Sequence, residues 1–236
     1  MTDLAFSDHI EVKRQLTRFY LNLCGNCNIH TMITEVNVHK ALANLSKADD
    51  DIINRNAVLG FLNLSTEENN HRELLLSGDI LTSFLIDLIS QDYTQSFNID
   101  FCIQSKRYAC LTVGCLLQSN EFDDIFRDNR VVHIISENLQ VTDAETQLGI
   151  SFTLHKLGMK QDMNPLMRDC GLEGPILNFI SSGSLATRNH AISSLRRISL
   201  DDIICRNIVN KNGLLVLAGV VESVTEEMMR ELAATF

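Results

Sequence analysis

This sequence predicts an all-α solenoid of about five three-helix repeats, and three observations make the prediction. An apolar segment recurs at near-constant spacing, turn residues recur in the same phase, and helix breakers are few. The first is plainest in "NRNAVLGFLNLS" (Asn54–Ser65), which has a near-copy 41 residues earlier in "KRQLTRFYLNLC" (Lys13–Cys24). With 11 Gly and 2 Pro in 236 residues, long helices meet few interruptions, and an all-β chain full of tight turns is disfavoured.

The last apolar residue of each such segment serves as a marker. Leu23, Leu64, Leu116, Leu157 and Ile198 are separated by 41, 52, 41 and 41 residues. Seven residues before them stand Leu16, Ala57, Ala109, Ile150 and Ala191, and three before them Tyr20, Phe61, Val113, Leu154 and Leu195. Offsets of three, four and seven share one helical face. These segments therefore read as third helices near residues 12–24, 52–65, 104–118, 144–160 and 186–199. The surplus of the long unit falls in "QDYTQSFNIDFCIQS", residues 91–105, which reads as an extended loop.

Fourteen or fifteen residues past a marker comes a turn, at Gly78, Arg130, Gly171 and Gly213. Each separates a short apolar-ended segment from a longer apolar one, and Gly there suits a left-handed helix end. One unit is thus a short helix, a sharp turn, a second helix and a third ending at the marker. The whole of 1–236 reads as one solenoid, with 1–11 as an N-terminal segment. It opens with a third helix lacking its first two helices. It closes in a partial third helix, 225–236, whose Met228, Met229, Leu232 and Phe236 have no further unit to cover them. Since stacked units bury one another's apolar faces, the expectation is an array truncated at both ends, or an open end that docks onto a partner.

Three helices in about 41 residues, closed by "NAVLGFLNLS", "QLTRFYLNLC" or "HAISSLRRIS" and carrying helix pairs such as "LMRDCGLEGPILNFI" and "IVNKNGLLVLAGVV", resemble the armadillo repeat family. The two-helix HEAT unit explains the short segment before each turn less well. The resemblance spans roughly residues 12–236. It implies a right-handed armadillo-type α-solenoid whose third helices line a concave groove that takes extended peptides. In that family the residue before the marker is often an Asn that holds the peptide backbone. Here the position reads Asn22, Asn63, Cys115, Lys156 and Arg197. One turn earlier stand Arg18, Leu59, Leu111, Phe152 and Ser193, where importin-alpha-type adaptors carry Trp. This chain has no Trp, and its pattern looks more like that of catenin-type proteins, whose grooves take acidic partners.

Charge supports that choice. The third-helix segments contain Lys13, Arg14, Arg18, Arg55, Lys106, Arg107, Lys156, Lys160, Arg188, Arg196 and Arg197, against one acid, Glu145. The whole chain has a net charge of −10, so its cations have gathered on one kind of helix. Arg14, Arg55 and Arg107 share one repeat position, nine before the marker. A row of like charges repels itself and favours an anionic partner, and Arg grips carboxylate or phosphate in bidentate fashion. The expected site comprises Arg14, Arg18, Arg55, Arg107, Lys156 and Arg197 for anionic groups and Asn22 and Asn63 for the backbone. Leu59, Leu111 and Phe152 make its apolar floor.

The partner expected is therefore an acidic or phosphorylated linear protein segment. The alternative is a structural brick of a large cytoskeletal or ciliary assembly. Nucleic acid is disfavoured, because only Tyr108 and Phe152 are placed to stack bases and the remaining surface is acidic. No apolar stretch approaches the roughly 20 residues of a membrane span; "ILTSFLIDLIS" (Ile80–Ser90) is about half that and contains Asp87. Seven irregularly spaced cysteines fit buried free thiols in a reducing compartment, with the cytoplasm expected and nucleus or cilium open. "CGNCNIH" (Cys24–His30) has metal-ligand spacing but no second Cys pair to complete a site. The seven histidines look scattered; His155 and His190 lie on third helices, where a solvated or capping role is expected ahead of ligand contact. No phosphate loop, dinucleotide fingerprint or nucleophile elbow occurs, so neither an enzyme nor a cofactor is expected.

Overall fold

Capping side chains set where the long helices begin. Asp50, Asp143 and Ser184, each fourteen residues before a marker, accept a hydrogen bond from the backbone N–H three residues on. Each satisfies one of the donors that a helix start leaves open. The computed structural model describes residues 9–92, 98–128, 130–140 and 143–220.

In chain order, α1 (Ile10–Cys24) is followed by α2 (His30–Glu35) and α3 (Val38–Leu45). The second set is α4 (Asp51–Ser65), α5 (His71–Leu75) and α6 (Gly78–Ser90). Then come α7 (Ile99–Leu116), α8 (Asp123–Asp128) and α9 (Val131–Glu137). Next are α10 (Ala144–Gly158), α11 (Asn164–Asp169) and α12 (Glu173–Ser182). The last described are α13 (Leu185–Ile198), α14 (Asp202–Asn210) and α15 (Gly213–Val220). Short 3-10 turns at Cys27–Ile29, Glu68–Asn70 and Gln161–Met163 lead into α2, α5 and α11.

The five long helices fall where the recurring segments predict them, with one correction. Residues 99–105 were expected in a loop and are the first two turns of α7. Cys102 and Ser105 fall in phase with Leu116 and are buried, so helix is the conformation that hides them. The surplus of the long unit thus goes partly into an 18-residue helix, where α1, α4 and α10 have 15. The partial third helix expected at 225–236 and its four apolar residues lie outside the described residues.

Turn chemistry keeps the repeat phase more strictly than the glycines do. The residue fourteen past each marker is Asn37, Gly78, Arg130, Gly171 or Asn212, and all but Gly78 have positive φ, between 56° and 63°. Asn and Gly tolerate that left-handed region best. At the last turn the strained residue is Asn212, not Gly213. Gly213 is required for space instead: a Cβ there would sit 2.5 Å from Ile208 Cγ2.

The chain divides into two compact units, Met1–Val131 and Val132–Phe236. In the first, α1 packs on α4 and α4 on α7, with α3 and α6 behind them. Its core includes Leu16, Tyr20, Leu42, Leu45, Ile53, Ala57, Phe61, Leu64, Ala109, Val113 and Leu116, all buried. Leu23, the first marker, is only half-buried, because among the described residues α1 has a third helix on one side alone. In the second unit α10 packs on α13, and α12 packs on both α13 and α15. Ile150, Leu154, Leu157, Ala191, Leu195 and Ile198 are its core. Ser194 Oγ there donates to the Leu154 carbonyl at 3.0 Å, tying the two helices together. No single helix among the described residues is long and apolar enough to cross a membrane.

Candidate ligand-binding face

Core contacts turn the remaining faces of the third helices outward. With the marker and the residues three and seven before it facing the core, positions nine, five and one before the marker fall on the other side of the helix. Arg18 and Asn22 are exposed there, and Arg14, Arg55, Leu59, Asn63, Arg107, Leu111, Phe152, Lys156 and Arg197 are half-buried. Cys115 is the exception in this row, buried at 7% exposure. The family-type backbone-holding position is therefore closed in the third repeat.

In the first unit, two of the three arginines expected to form a ligand-seeking ladder bind the protein's own groups. Arg14 donates to Asp50 Oδ2 from Nη2 at 2.7 Å and from Nε at 3.1 Å, and also pairs with Glu11. Burial pushes the Asp50 carboxyl up. The hydrogen bonds from Arg14 and the Ile53 amide outweigh it and hold the group below the usual carboxylate range. Asp50 is thus both the cap of α4 and the acceptor of a cation from α1. Arg55 likewise reaches the next third helix: its Nε donates to Gln104 Oε1 at 2.6 Å, and its guanidinium lies 5.3 Å from the Phe101 ring centroid. Arg107 stacks on Tyr108 at 5.9 Å. Arg18, by contrast, projects with no ion pair or hydrogen bond from its side chain among the described residues, and the amides of Asn22 and Asn63 are equally uncommitted.

The second unit differs. Lys156 Nζ sits 5.3 Å over the Phe152 ring, and the His190 ring stands nearly perpendicular to it, centroids 5.4 Å apart. The His155 and His190 rings are 5.8 Å apart. His155 Nδ1 and Arg197 Nε are shielded from solvent without a hydrogen-bond partner among the described residues. Burial, then His190, Lys156, Arg197 and Arg196, push the His155 pKa down to about 4. Burial and Lys156 lower that of His190 as well. Both rings are therefore neutral at pH 7 inside a field of fixed positive charge.

Two other histidines, scattered to the eye in the sequence, hold one repeat position. His30 and His71 lie seven residues past Leu23 and Leu64. His30 Nε2 donates to the Cys24 carbonyl at 2.7 Å, and His71 Nε2 to that of Ser65 at 2.8 Å. Their Nδ1 atoms accept from Asn70 at 3.2 Å and Ser119 at 2.9 Å. Each ring closes the end of a third helix onto the start of the following short one. The signal was present in the spacing of 41 between them. The same bonds use both nitrogens of the histidine in "CGNCNIH", while Cys24 is buried, with its thiol pushed up to about 12 by burial, and Cys27 is exposed.

No family model and no curated protein sequence matches the chain. Solved structures of designed proteins are among those it resembles. A computationally designed armadillo repeat protein for modular peptide recognition matches with a TM-score of 0.86 and 14% identity, over 99% of this chain and 96% of that one. A designed armadillo repeat protein in complex with the peptide (KR)4 gives 0.84 and 12%, over 99% and 95%. An engineered protein gives 0.86 and 13%, over 99% and 94%. The fold is an armadillo-type α-solenoid.

Proposed function

We propose that the chain is a non-enzymatic protein-binding scaffold that holds an acidic or phosphorylated extended segment along the outward rows of its third helices. The observation that carries this reading is the distribution of charge. On α1, α4, α7, α10 and α13 the acids are Glu11, Asp51, Asp100 and Glu145, each in the first turn of its helix, where it favours the helix dipole. Every Lys and Arg on these helices lies beyond the first three residues. The rest of the chain is acidic enough to make the total −10.

The sign of the ligand follows from that distribution. A designed protein of this fold is in complex with a basic (KR)4 peptide; a row of cations repels such a ligand and attracts its opposite. Asn22 and Asn63 offer uncommitted amides for an extended backbone, Leu59 and Phe152 offer apolar contact, and Arg18, Lys156 and Arg197 offer positive charge. Arg14 and Arg55 contribute less, because their hydrogen bonds are spent within the protein.

The test is fluorescence anisotropy with a labelled Glu/Asp-rich peptide, compared between about 50 and about 500 mM salt. Affinity is expected to drop at least about tenfold, and Arg18→Glu should weaken binding at low salt. Binding that ignores both salt and Arg18→Glu would exclude these rows as the site. A second reading, docking into a larger assembly, draws on the exposed Leu200, Ile203, Val209, Leu214 and Leu215 around α14 and α15. Affinity capture that returns a partner insensitive to Arg18→Glu and to salt would favour it.

A further inference from the structure

His155, Lys156, His190 and Arg197 bring four nitrogen-bearing side chains together on the second unit. Two come from α10 and two from α13, helices that pack directly on each other. Phe152 organises them: Lys156 lies over its ring, and His190 meets it in a T-shaped contact. The ring contact between His155 and His190 sets the imidazoles side by side, 31° from parallel. Protein interiors rarely leave polar nitrogens shielded and unbonded, yet His155 Nδ1 and Arg197 Nε both are. A structural cluster would have drawn in a carboxylate, as Arg14 draws in Asp50 and Lys211 draws in Glu173.

We infer that this cluster is a receptor for a phosphate dianion, carried by a phosphorylated residue of the segment proposed above, and that it takes up protons when the dianion binds. The inference rests on that reading for its ligand's source, though not for its chemistry. Lys156 and Arg197 supply fixed charge and several N–H donors, and a phosphoryl group has three strong acceptor oxygens to receive them. At neutral pH the imidazoles are uncharged. A dianion beside them offsets the local positive field, so each ring takes up its proton at a higher pH than before and, once protonated, becomes a further donor to a phosphate oxygen. A carboxylate, with half the charge, drives this uptake less.

The charged groups on the surrounding elements support it. α10 also carries Glu145, in its first turn, and α13 also carries Arg188 and Arg196. On α12, which packs on both, Glu173 is bonded to Lys211 at 2.8 Å. The 3-10 turn packed on α10 contains Asp162 and follows Lys160. The charges that act on the two rings are those of Lys156, Arg196 and Arg197, all positive.

The experiment is an NMR titration of the histidine rings in the intact chain between pH 8 and about 3.5, in sodium sulfate or inorganic phosphate against chloride of equal ionic strength. Sulfate remains a dianion throughout, so its effect isolates the protein's protons. His155→Gln and His190→Gln assign the signals. Sulfate and phosphate are expected to raise the pKa of both rings by about one unit or more. Lys156→Ala with Arg197→Ala should abolish the effect. A phosphoserine peptide should act at lower concentration than inorganic phosphate, and its unphosphorylated twin should not act on the rings. Rings that respond identically to chloride and to the dianions overturn the inference, even if an acidic peptide binds elsewhere. Rings that respond to the dianions while Glu/Asp-rich and phosphoserine peptides fail to bind leave the anion receptor standing and remove the extended-segment reading. A short single-stranded RNA that matches the phosphoserine peptide would overturn the assignment to a protein segment.

Discussion

The first and second units put cations at different outward positions, nine before the marker in the first and one before it in the second, and use them oppositely. In the first, two of the three arginines nine before the marker reach toward the next third helix, where Asp50 receives Arg14 and Gln104 receives Arg55. In the second, Lys156 and Arg197, one before the marker, lie beside histidines and an aromatic ring with no acid paired to them among the described residues. Arg14, Arg55 and Arg107 do share a repeat position, yet they meet Asp50, Gln104 and Tyr108, so position alone does not confer a role. What decides is the residue that the adjacent helix presents, one repeat on, and that residue is free to vary while the stack persists.

Charge reversal should break this contrast most visibly. Lys156→Glu with Arg197→Glu is expected to weaken acidic-peptide binding by more than about tenfold, each tenfold being about 1.4 kcal/mol. Arg14→Gln is expected to change it less than about threefold, with anisotropy as the common readout. The next effect is on stability. Asp50→Ala removes the cap of α4 and should cost about 1 kcal/mol, read from the urea midpoint. The same variant releases Arg14, so its peptide affinity should rise and become more salt-dependent, turning the first unit toward the behaviour of the second.

Acid should separate the units further. His39, buried on α3 with neither nitrogen bonded among the described residues, has its pKa lowered from 6.5, first by burial and then by Lys40. The unfolded chain thus takes up this proton more readily, and stability falls as pH drops below about 6.5. His155 and His190, also lowered, add losses of the same sign. His39→Leu is expected to reduce the acid-induced fall in Tm with or without sulfate. In the second unit sulfate alone should reduce it, by stabilising the protonated rings. Smallest of all is Arg55→Gln. It gives up two hydrogen bonds, to Gln104 and Asn56, and one ring contact at a half-exposed site, so a change of about 1 kcal/mol and near-normal peptide binding are expected.

The periodic core was legible in advance because it obeys one rule repeated five times. Leu64, Leu116, Leu157 and Ile198 recur at a helical phase, and burying a side chain of that size is worth roughly 1.5–3 kcal/mol wherever it occurs. The same phase was readable in the turn, though Gly drew the eye from Asn37 and Asn212, where the left-handed backbone lies. The start of α7 was missed because Cys102 and Ser105 are weakly apolar, and their inward face emerges only when counted from Leu116. In the candidate site, the sequence located the rows but not their neutralisation, since Arg14 meets Asp50 across 36 residues and Arg55 meets Gln104 across 49.

Thus sequence alone determined the repeat, the helices and the concentration of cations on one class of helix, because each depends on spacing within a single segment. Only the tertiary structure decided which cations are spent and which remain available, and that His155 and His190 stand together. Those outcomes depend on side chains brought side by side by the packing of one third helix on the next, an adjacency that the spacing within either helix does not contain.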